Sequence, residues 1–310
     1  MTSPESTKPV PSPQSAADLA ATLPNPGSDG YVFFEHSANH PAERSTDFRL
    51  VNAWWAIEMA YLSYATDKEF ALSRVADAQL TGAAFGFDQA TPPHILVAHN
   101  DDLVVVAFRG TRIDCLSDTL ADMSFLPVLT TEGLVHRGFH NALTAGAAWA
   151  EAQKHISGIG GNQVILFTGH SLGAALATIA RRLFKDPSGR QIALYTMGSP
   201  RVGDQAFYCP QYPSPAYRLV NDEDVITHIP TPPVYGHVGT ALAPDGKPIS
   251  DARWEGLEHQ FAAAAGVLGV FSLDSRKARL RAYLSSMVKP LGDHAPRAYA
   301  AKIWNALISQ

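Results

Sequence analysis

Residues 163–184 read QVILFTGHSLGAALATIARRLF, and this stretch decides the fold. Its first six residues are mostly apolar and rich in branched side chains, which is typical of a buried strand. Its last eleven residues favour a helix, because apolar residues return at steps of three and four. The segment between them, 169–173, has the pattern G-x-S-x-G. We therefore predict a strand, a sharp turn and a helix, with Ser171 at the turn.

A serine at such a turn is presented at the carboxyl edge of a sheet, above the amino terminus of the following helix. Gly169 and Gly173 leave room for the strand and the helix to approach each other. A G-x-S-x-G segment between a strand and a helix is the nucleophile elbow of the α/β-hydrolase fold. The sequence thus predicts an α/β protein in which Ser171 acts as a nucleophile.

Apolar runs and helical patterns alternate on both sides of this turn. Strands are predicted at 94–98, 103–108, 191–197 and 217–220, and helices at 54–64, 140–156, 256–271, 276–288 and 296–308. This alternation predicts a mostly parallel central sheet with helices on both faces. Residues 30–310 contain no repeat and no linker, so we expect one domain there. Residues 1–29 are rich in Pro and Ser, and we expect a disordered leader.

Composition excludes several classes of protein. The chain has 310 residues, of which 46% are hydrophobic, and a net charge of −5, which argues against a nucleic-acid partner. No basic segment followed by an apolar run marks a signal peptide, and the longest apolar run, 261–271, is too short to span a bilayer. Two cysteines, Cys115 and Cys209, suit an unbridged protein, although their pairing is left open. We expect a cytoplasmic location, with export by a route other than a signal peptide left open as the alternative.

A serine hydroxyl needs a histidine to take its proton, and the histidine needs a carboxylate to orient it. In α/β-hydrolases the chain order is serine, acid, histidine. The acid candidates follow the strand at 217–220 and are Asp222, Glu223 and Asp224. The histidine candidates are His228, His237, His259 and His294. Order and position at a strand end leave these alternatives open.

Six motifs in order resemble those of the fungal-type triacylglycerol lipases, also called class 3 lipases. The matching segments are 106–111, 135–139, 169–173, 196–204, 224–230 and 292–299. Six ordered matches are far more specific than any one of them, so the sequence is identified as a member of this family over about residues 50 to 305. Residues 241–292 match nothing in the family closely, which leaves the alcohol side of the pocket undefined.

The resemblance implies a role for each matching residue. Ser171 corresponds to the nucleophile, Asp224 to the triad acid and His294 to the base. The backbone N–H groups of Thr111 and Leu172 correspond to the oxyanion hole. The family needs no cofactor, and none is implied here.

Five further histidines are expected to have neither a catalytic nor a metal-binding role. His170 is expected to face away from the nucleophile and to fix the turn by a hydrogen bond. The pairs His136 with His140 and His36 with His40 lack the acidic neighbour and third ligand that a zinc site requires, so we expect no metal.

The resemblance implies a serine hydrolase that cleaves carboxylic ester bonds of lipids through an acyl-enzyme. The alternatives are an esterase on more polar esters, such as feruloyl or acetyl esters, and a phospholipase A-type acyl hydrolase. A non-catalytic binding module is a further alternative, but the required residue types are all present in order. The expected partners are a small ester or lipid substrate and, transiently, a lipid–water interface.

In the resembled family, the segment after the oxyanion residue forms a short amphipathic lid. Here that segment is 112–125, in which an apolar stripe recurs at Ile113, Leu116, Leu120 and Met123. A mobile lid over Ser171 and an ordinary surface helix are both compatible with this stripe.

Overall fold

The centre of the structure is a mostly parallel β-sheet. The structure is a computed structural model of the protein, and it describes residues 5–22, 24–87, 93–111, 126–209, 212–213, 215–230, 234–250 and 286–310. The strands in these ranges are β1 Thr81–Phe85, β2 Ile95–His99, β3 Leu103–Phe108, β4 Pro127–Thr130, β5 Gly133–His136, β6 Val164–His170, β7 Ile192–Met197, β8 Ala216–Leu219 and β9 Thr240–Leu242. Seven of them form one sheet in the order β1-β2-β3-β6-β7-β8-β9, and β4 and β5 pair separately.

The sheet changes from antiparallel to parallel at β3. Strands β1, β2 and β3 are antiparallel neighbours, whereas β3, β6, β7, β8 and β9 all run parallel. At the β2–β3 turn the side chain of Asn100 accepts hydrogen bonds from the backbone N–H groups of Asp102 and Leu103. The predicted pair of strands with a turn at residue 100 is confirmed, as is the mostly parallel sheet.

Helices cover both faces of this sheet. The helices in the described ranges are α1 Ala16–Ala21, α2 Leu50–Leu62, α3 Lys68–Asp77, α4 Arg137–Thr144, α5 Ala148–Gly158, α6 Leu172–Leu183, α7 Gln205–Tyr208, α8 Val288–His294 and α9 Pro296–Leu307. Side chains alternate across a strand. Leu166 of β6 accordingly joins the apolar cluster that contains α2 and α9, while Ile165 and Phe167 join the cluster that contains α5 and α6.

The helix predicted at 140–156 is two helices, so the prediction of one continuous helix was wrong. Helix α4 ends at Thr144, after which Ala145 is extended and Gly146 has a φ of 69°. Glycine adopts this left-handed conformation without steric cost, which is why the chain turns here despite its alanine content. Helix α5 then begins at Ala148.

The described part of the expected leader is folded against helix α9. The indole Nε1 of Trp304 donates to the carbonyl of Ser6 at 2.9 Å. The side chain of Asn305 accepts from the N–H of Lys8 at 2.7 Å and donates to its carbonyl at 2.9 Å. Side chains of α9 thus satisfy backbone groups of Ser6 and Lys8 in a segment with few apolar residues of its own, and the disordered leader stays a prediction. The boundary at residue 30 stays a prediction.

Some predictions fall outside the described residues. These are the helix at 256–271, most of the helix at 276–288, the 112–125 segment, His259 and Cys115. Cys209 is an exposed free thiol. None of the helices in the described ranges has the length and apolarity that a membrane span requires.

Candidate active site

Ser171 lies at a strained turn between β6 and α6. Its φ of 58° and ψ of −128° are unusual for a residue with a side chain. A Cβ at residue 169 would lie 2.2 Å from the carbonyl oxygen of Gly173, and one at residue 173 would lie 2.1 Å from that of Phe108. Only glycine fits at either position. The predicted strand–turn–helix is confirmed, and its two glycines permit the close approach.

Asp224 and His294 form a buried pair at the same edge of the sheet. Nδ1 of His294 is 2.9 Å from each carboxylate oxygen of Asp224, and both side chains are fully buried. A carboxylate can only accept a hydrogen bond, so Nδ1 carries the proton and donates it. The structure thus brings together the two residues that the resemblance selected.

The other candidates have different partners. The carboxylate of Asp222 is paired with Lys302, and that of Glu223 is 3.4 Å from the ammonium of Lys289. Nε2 of His237 donates to the carbonyl of Thr227 at 2.7 Å. None of these described contacts places a second acid against His294.

The backbone and a tyrosine hold the carboxylate of Asp224. The N–H of Ile226 donates to Oδ1 at 2.9 Å, and the hydroxyl of Tyr299 donates to Oδ2 at 2.7 Å. Burial by itself would raise the pKa of Asp224, but the charge and hydrogen bond of His294 and the hydrogen bond from Tyr299 lower the pKa below its usual value. The carboxylate therefore stays ionised at neutral pH.

Two buried polar atoms of this site have no hydrogen-bond partner among the described residues. They are Oγ of Ser171 and Nε2 of His294. Because Nδ1 of His294 carries the proton shared with Asp224, Nε2 is the nitrogen with an available lone pair. The site therefore offers a hydroxyl and a basic ring nitrogen, and neither of these two atoms has a hydrogen-bond partner in the ranges described.

Thr111 and Leu172 belong to two backbone turns that lie close together. Leu172 is the first residue of α6, so its N–H has no acceptor within the helix. A Cβ at Gly173 would lie 2.9 Å from the backbone nitrogen of Gly110, which precedes Thr111. The elbow and the turn after β3 are therefore in direct contact. The backbone N–H of Leu172 is suited to bind an anion at a helix amino terminus.

Sequence reasoning missed several residues of this site. Gly198 follows β7 with a φ of 59°, and a Cβ there would lie 2.7 Å from Oδ2 of Asp224. Asn221 donates its side-chain amide to the carbonyl of Asp293 at 2.7 Å and its N–H to the hydroxyl of Tyr299 at 3.0 Å. Both residues come just after strands of the parallel sheet, a position that could have indicated them. Tyr64, whose hydroxyl is 2.8 Å from Nδ1 of His170, lies two residues after α2 and not at a strand end, so its position in the sequence did not indicate it.

An open cleft lies at the opposite end of the strands. Its lining includes His99, Asp101, Glu151, His155 and Gln163. It contains none of the residues described above. No group of three or more metal-ligating side chains comes together in the part of the chain that the structure describes.

Comparisons with known proteins agree in showing similarity to lipases. Residues 105–233 match the family described as Lipase (class 3). The chain is 32% identical over 164 residues to a lipase of Rhizomucor miehei, covering 46% of this chain and 43% of that protein. It is 28% identical over 162 residues to the secreted mono- and diacylglycerol lipase 3 of Gibberella zeae, covering 46% and 49%. The chain thus spans less than half the length of these two relatives.

A solved structure supports the fold. The structure of the Rhizomucor miehei triacylglyceride lipase aligns with a TM-score of 0.52 and 20% identity, over 72% of this chain and 91% of that chain. At this identity the likeness bears on the fold alone. Together with the strained serine turn and the parallel sheet, it confirms the predicted α/β-hydrolase fold.

Proposed function

We propose that this chain, whose residues 105–233 match the class 3 lipase family, is a serine hydrolase that cleaves carboxylic ester bonds of lipids. The observation that carries the proposal is the buried His294–Asp224 pair, with the unpartnered Nε2 of His294 and the unpartnered hydroxyl of Ser171 at a strained turn. These are the parts that nucleophilic acyl transfer requires.

In the proposed reaction, Oγ of Ser171 attacks the ester carbonyl while Nε2 of His294 takes its proton. Asp224 holds Nδ1 and stabilises the imidazolium that forms. The N–H groups of Thr111 and Leu172 bind the oxyanion of the tetrahedral intermediate, and each donor is worth about 10² to 10³ in rate. His294 then protonates the leaving alkoxide, which leaves an acyl ester on Ser171. Water repeats the two steps and releases the acid, and no cofactor takes part.

Acylglycerols are the substrate class that the relatives favour, since one of them is named for mono- and diacylglycerols. Esters of long-chain acids with glycerol should therefore be cleaved faster than feruloyl or acetyl esters. A panel of p-nitrophenyl esters from acetate to palmitate, with triolein, diolein and phosphatidylcholine alongside, measures this order. Faster release of fatty acid from phosphatidylcholine would favour the phospholipase alternative.

Contact with a lipid–water interface is part of the proposal and rests on the apolar stripe in the sequence of residues 112–125. Burial of such a stripe in an interface would stabilise an open site. The rate on a long-chain ester should then rise sharply above the solubility limit, and Leu116→Asp should blunt that rise while sparing soluble short-chain esters. A smooth saturation curve, unchanged by Leu116→Asp, would indicate a fixed pocket.

The cellular location of the protein is proposed from its relatives. The cytoplasmic location expected from the sequence has no support from the comparisons, and the Gibberella zeae relative is named a secreted protein. We propose export, which fractionation of the producing cells into medium and cell contents would test.

Labelling with a fluorophosphonate tests the proposed function most directly, because this reagent reacts with an activated serine. The wild-type protein should be labelled at Ser171, and Ser171→Ala should lose both the label and ester hydrolysis while keeping its circular dichroism spectrum. His294→Ala should lower kcat about as far, since triad members act as a unit. Absence of labelling and of hydrolysis in the folded wild-type protein would favour a non-catalytic binding module.

A further inference from the structure

The imidazole of His170 joins two parts of the molecule that are far apart in sequence. Its Nδ1 is 2.8 Å from the hydroxyl of Tyr64, and its Nε2 is 2.6 Å from the backbone carbonyl oxygen of His294. The ring centroids of His170 and His294 are 4.5 Å apart. His170 therefore contacts both the backbone and the ring of the proposed base, whereas the sequence suggested only a role in the turn.

The partners of His170 determine its tautomer. A carbonyl oxygen can only accept, so Nε2 carries the proton and donates to His294. Nδ1 is then an acceptor, and the hydroxyl of Tyr64 donates to it. In the neutral imidazole, both nitrogens are satisfied only by this tautomer.

The surroundings keep His170 neutral. Burial and, to a smaller extent, the neighbouring His294 together lower the pKa of His170 to about 3. The titratable groups that surround the ring are Tyr64 after α2, Asp224 after β8, His294 of α8 and Tyr299 of α9. A neutral ring can donate to the carbonyl of the base without placing a second positive charge beside it.

Tyr64 also contacts the turn that precedes Thr111. A Cβ at Gly110 would lie 2.1 Å from the hydroxyl oxygen of Tyr64 and 2.4 Å from the carbonyl oxygen of His170. Glycine at 110 thus lets the hydroxyl of Tyr64 pack directly on the backbone of this turn. Tyr64 and His170 together touch the turn before Thr111, the elbow and the backbone of His294.

From these contacts we propose that His170 and Tyr64 are positioning residues, which fix the backbone of His294 and the turn at Gly110 relative to Ser171. The inference rests on the proposed function in so far as His294 is the base. The donor on Nε2 of His170 holds the carbonyl of His294, and this sets the direction in which the imidazole of His294 leaves the backbone. Neither positioning residue takes part in proton transfer.

Two variants of His170 separate its two hydrogen bonds. In His170→Gln the side-chain amide reaches about as far as Nε2 and can still donate to the carbonyl of His294. In His170→Asn the amide ends near the position of Nδ1, so the bond to His294 is lost. We expect kcat to fall about 10- to 100-fold in His170→Asn and to stay within about threefold of wild type in His170→Gln, since misplacement of a reacting group by about 1 Å can cost 10²-fold. KM should change less than about twofold in both.

Controls distinguish positioning from loss of stability. His99→Asn makes the same substitution at the end of β2, where the ring lines the cleft at the opposite edge of the sheet, and should leave kcat unchanged. Tyr64→Phe removes both the donor to Nδ1 and the hydroxyl that packs on Gly110, and should lower kcat about 3- to 10-fold, less than His170→Asn does. The proton on Nδ1 of His294, bonded to Asp224, should give a far-downfield NMR signal in wild type and His170→Gln that shifts or disappears in His170→Asn.

Failure of the positioning role and failure of the proposed function give different results. Wild-type kcat in folded His170→Asn, or equal losses in the Asn and Gln variants, would overturn the positioning role even if Ser171 is labelled. If the wild-type protein is neither labelled nor active, the proposed function fails, and the NMR signal alone decides the positioning role. An unchanged signal in His170→Asn would then refute it, and loss of the signal in that variant alone would support it.

Discussion

The hydroxyl of Tyr299 donates a hydrogen bond of 2.7 Å to Oδ2 of Asp224 and accepts one of 3.0 Å from the N–H of Asn221. One side chain of α9 thereby ties the acid to the start of its own loop. The imidazole of His294 is bound to the same carboxylate. The orientation of Asp224 therefore depends on a residue outside the proposed triad.

Tyr299→Phe should lower kcat about tenfold with little change in KM, because a charge-assisted hydrogen bond worth about 1.5–3 kcal/mol is removed from the buried carboxylate. Tyr217→Phe is the matched control, since the hydroxyl of Tyr217 donates only to the carbonyl of Thr46. It should leave kcat unchanged. Steady-state hydrolysis of a soluble ester measures both, and equal kcat values in the two variants would show that Tyr299 does not orient the acid.

The acid itself can be tested by a pair of amide substitutions. Asp224→Asn should lower kcat by about 10⁴ with little change in KM, because an amide favours the wrong tautomer of His294. Asp222→Asn should have little effect on kcat, since the carboxylate of Asp222 is paired with Lys302. The reverse pattern in the same assay would assign the acid to Asp222.

Gly198 offers a test of packing beneath the Asp224–His294 pair. Gly198→Ala adds a Cβ that would lie 2.9 Å from Nδ1 of His294, at a φ of 59°. Gly189→Ala has a similar φ of 68° but no atom within 4 Å of the new Cβ. Both variants should lose about 1–2 kcal/mol of unfolding free energy from the left-handed backbone, and Gly198→Ala should lose more.

Activity separates these two glycines. Only Gly198→Ala should lower kcat, by at least about tenfold, because only its methyl group displaces the acid and the base. Urea unfolding measures the first effect and ester hydrolysis the second. Equal kcat values in the two variants would show that catalysis does not need the space that Gly198 leaves beneath Asp224 and His294.

A pH dependence of stability follows from His136. Burial lowers its pKa to about 4 in the folded state, while an unfolded chain binds a proton at His136 below about 6.5. The stability that neutral His136 contributes is therefore complete above pH 6.5 and is lost as the pH falls from 6.5 towards 4. In this window one such proton lowers the free energy of unfolding by up to about 1.4 kcal/mol per pH unit.

His136→Gln should remove this slope. Urea unfolding at pH 7.5, 6 and 5 should show a free energy of unfolding that falls less steeply for the variant than for the wild-type protein. Above pH 7.5 the two slopes should agree, because His136 is neutral in both states there. Identical slopes between pH 6 and 5 would mean that His136 is protonated in the folded protein.

The local pattern of apolar residues was sufficient to predict the strand and the helix on either side of Ser171. Strand β6 and helix α6 were predicted because a strand between helices is apolar along its length and a helix repeats about every 3.6 residues. The same reasoning missed β1, whose residues Thr81–Phe85 are partly exposed at the edge of the sheet. It also joined α4 to α5, because a left-handed glycine within an alanine-rich run leaves no periodic signal.

The amino-acid sequence alone established the residue types of the site and their order: a serine at a strand–helix turn, acids after a strand, and a histidine near the end. It left four histidines and three acids open, because order along a chain does not fix distance in space. Only the tertiary structure decided that His294 meets Asp224 and that His170 lies between Tyr64 and the backbone of His294. Those contacts join residues more than 60 positions apart, and they depend on how α2, α8 and α9 pack on the sheet, which no local pattern contains.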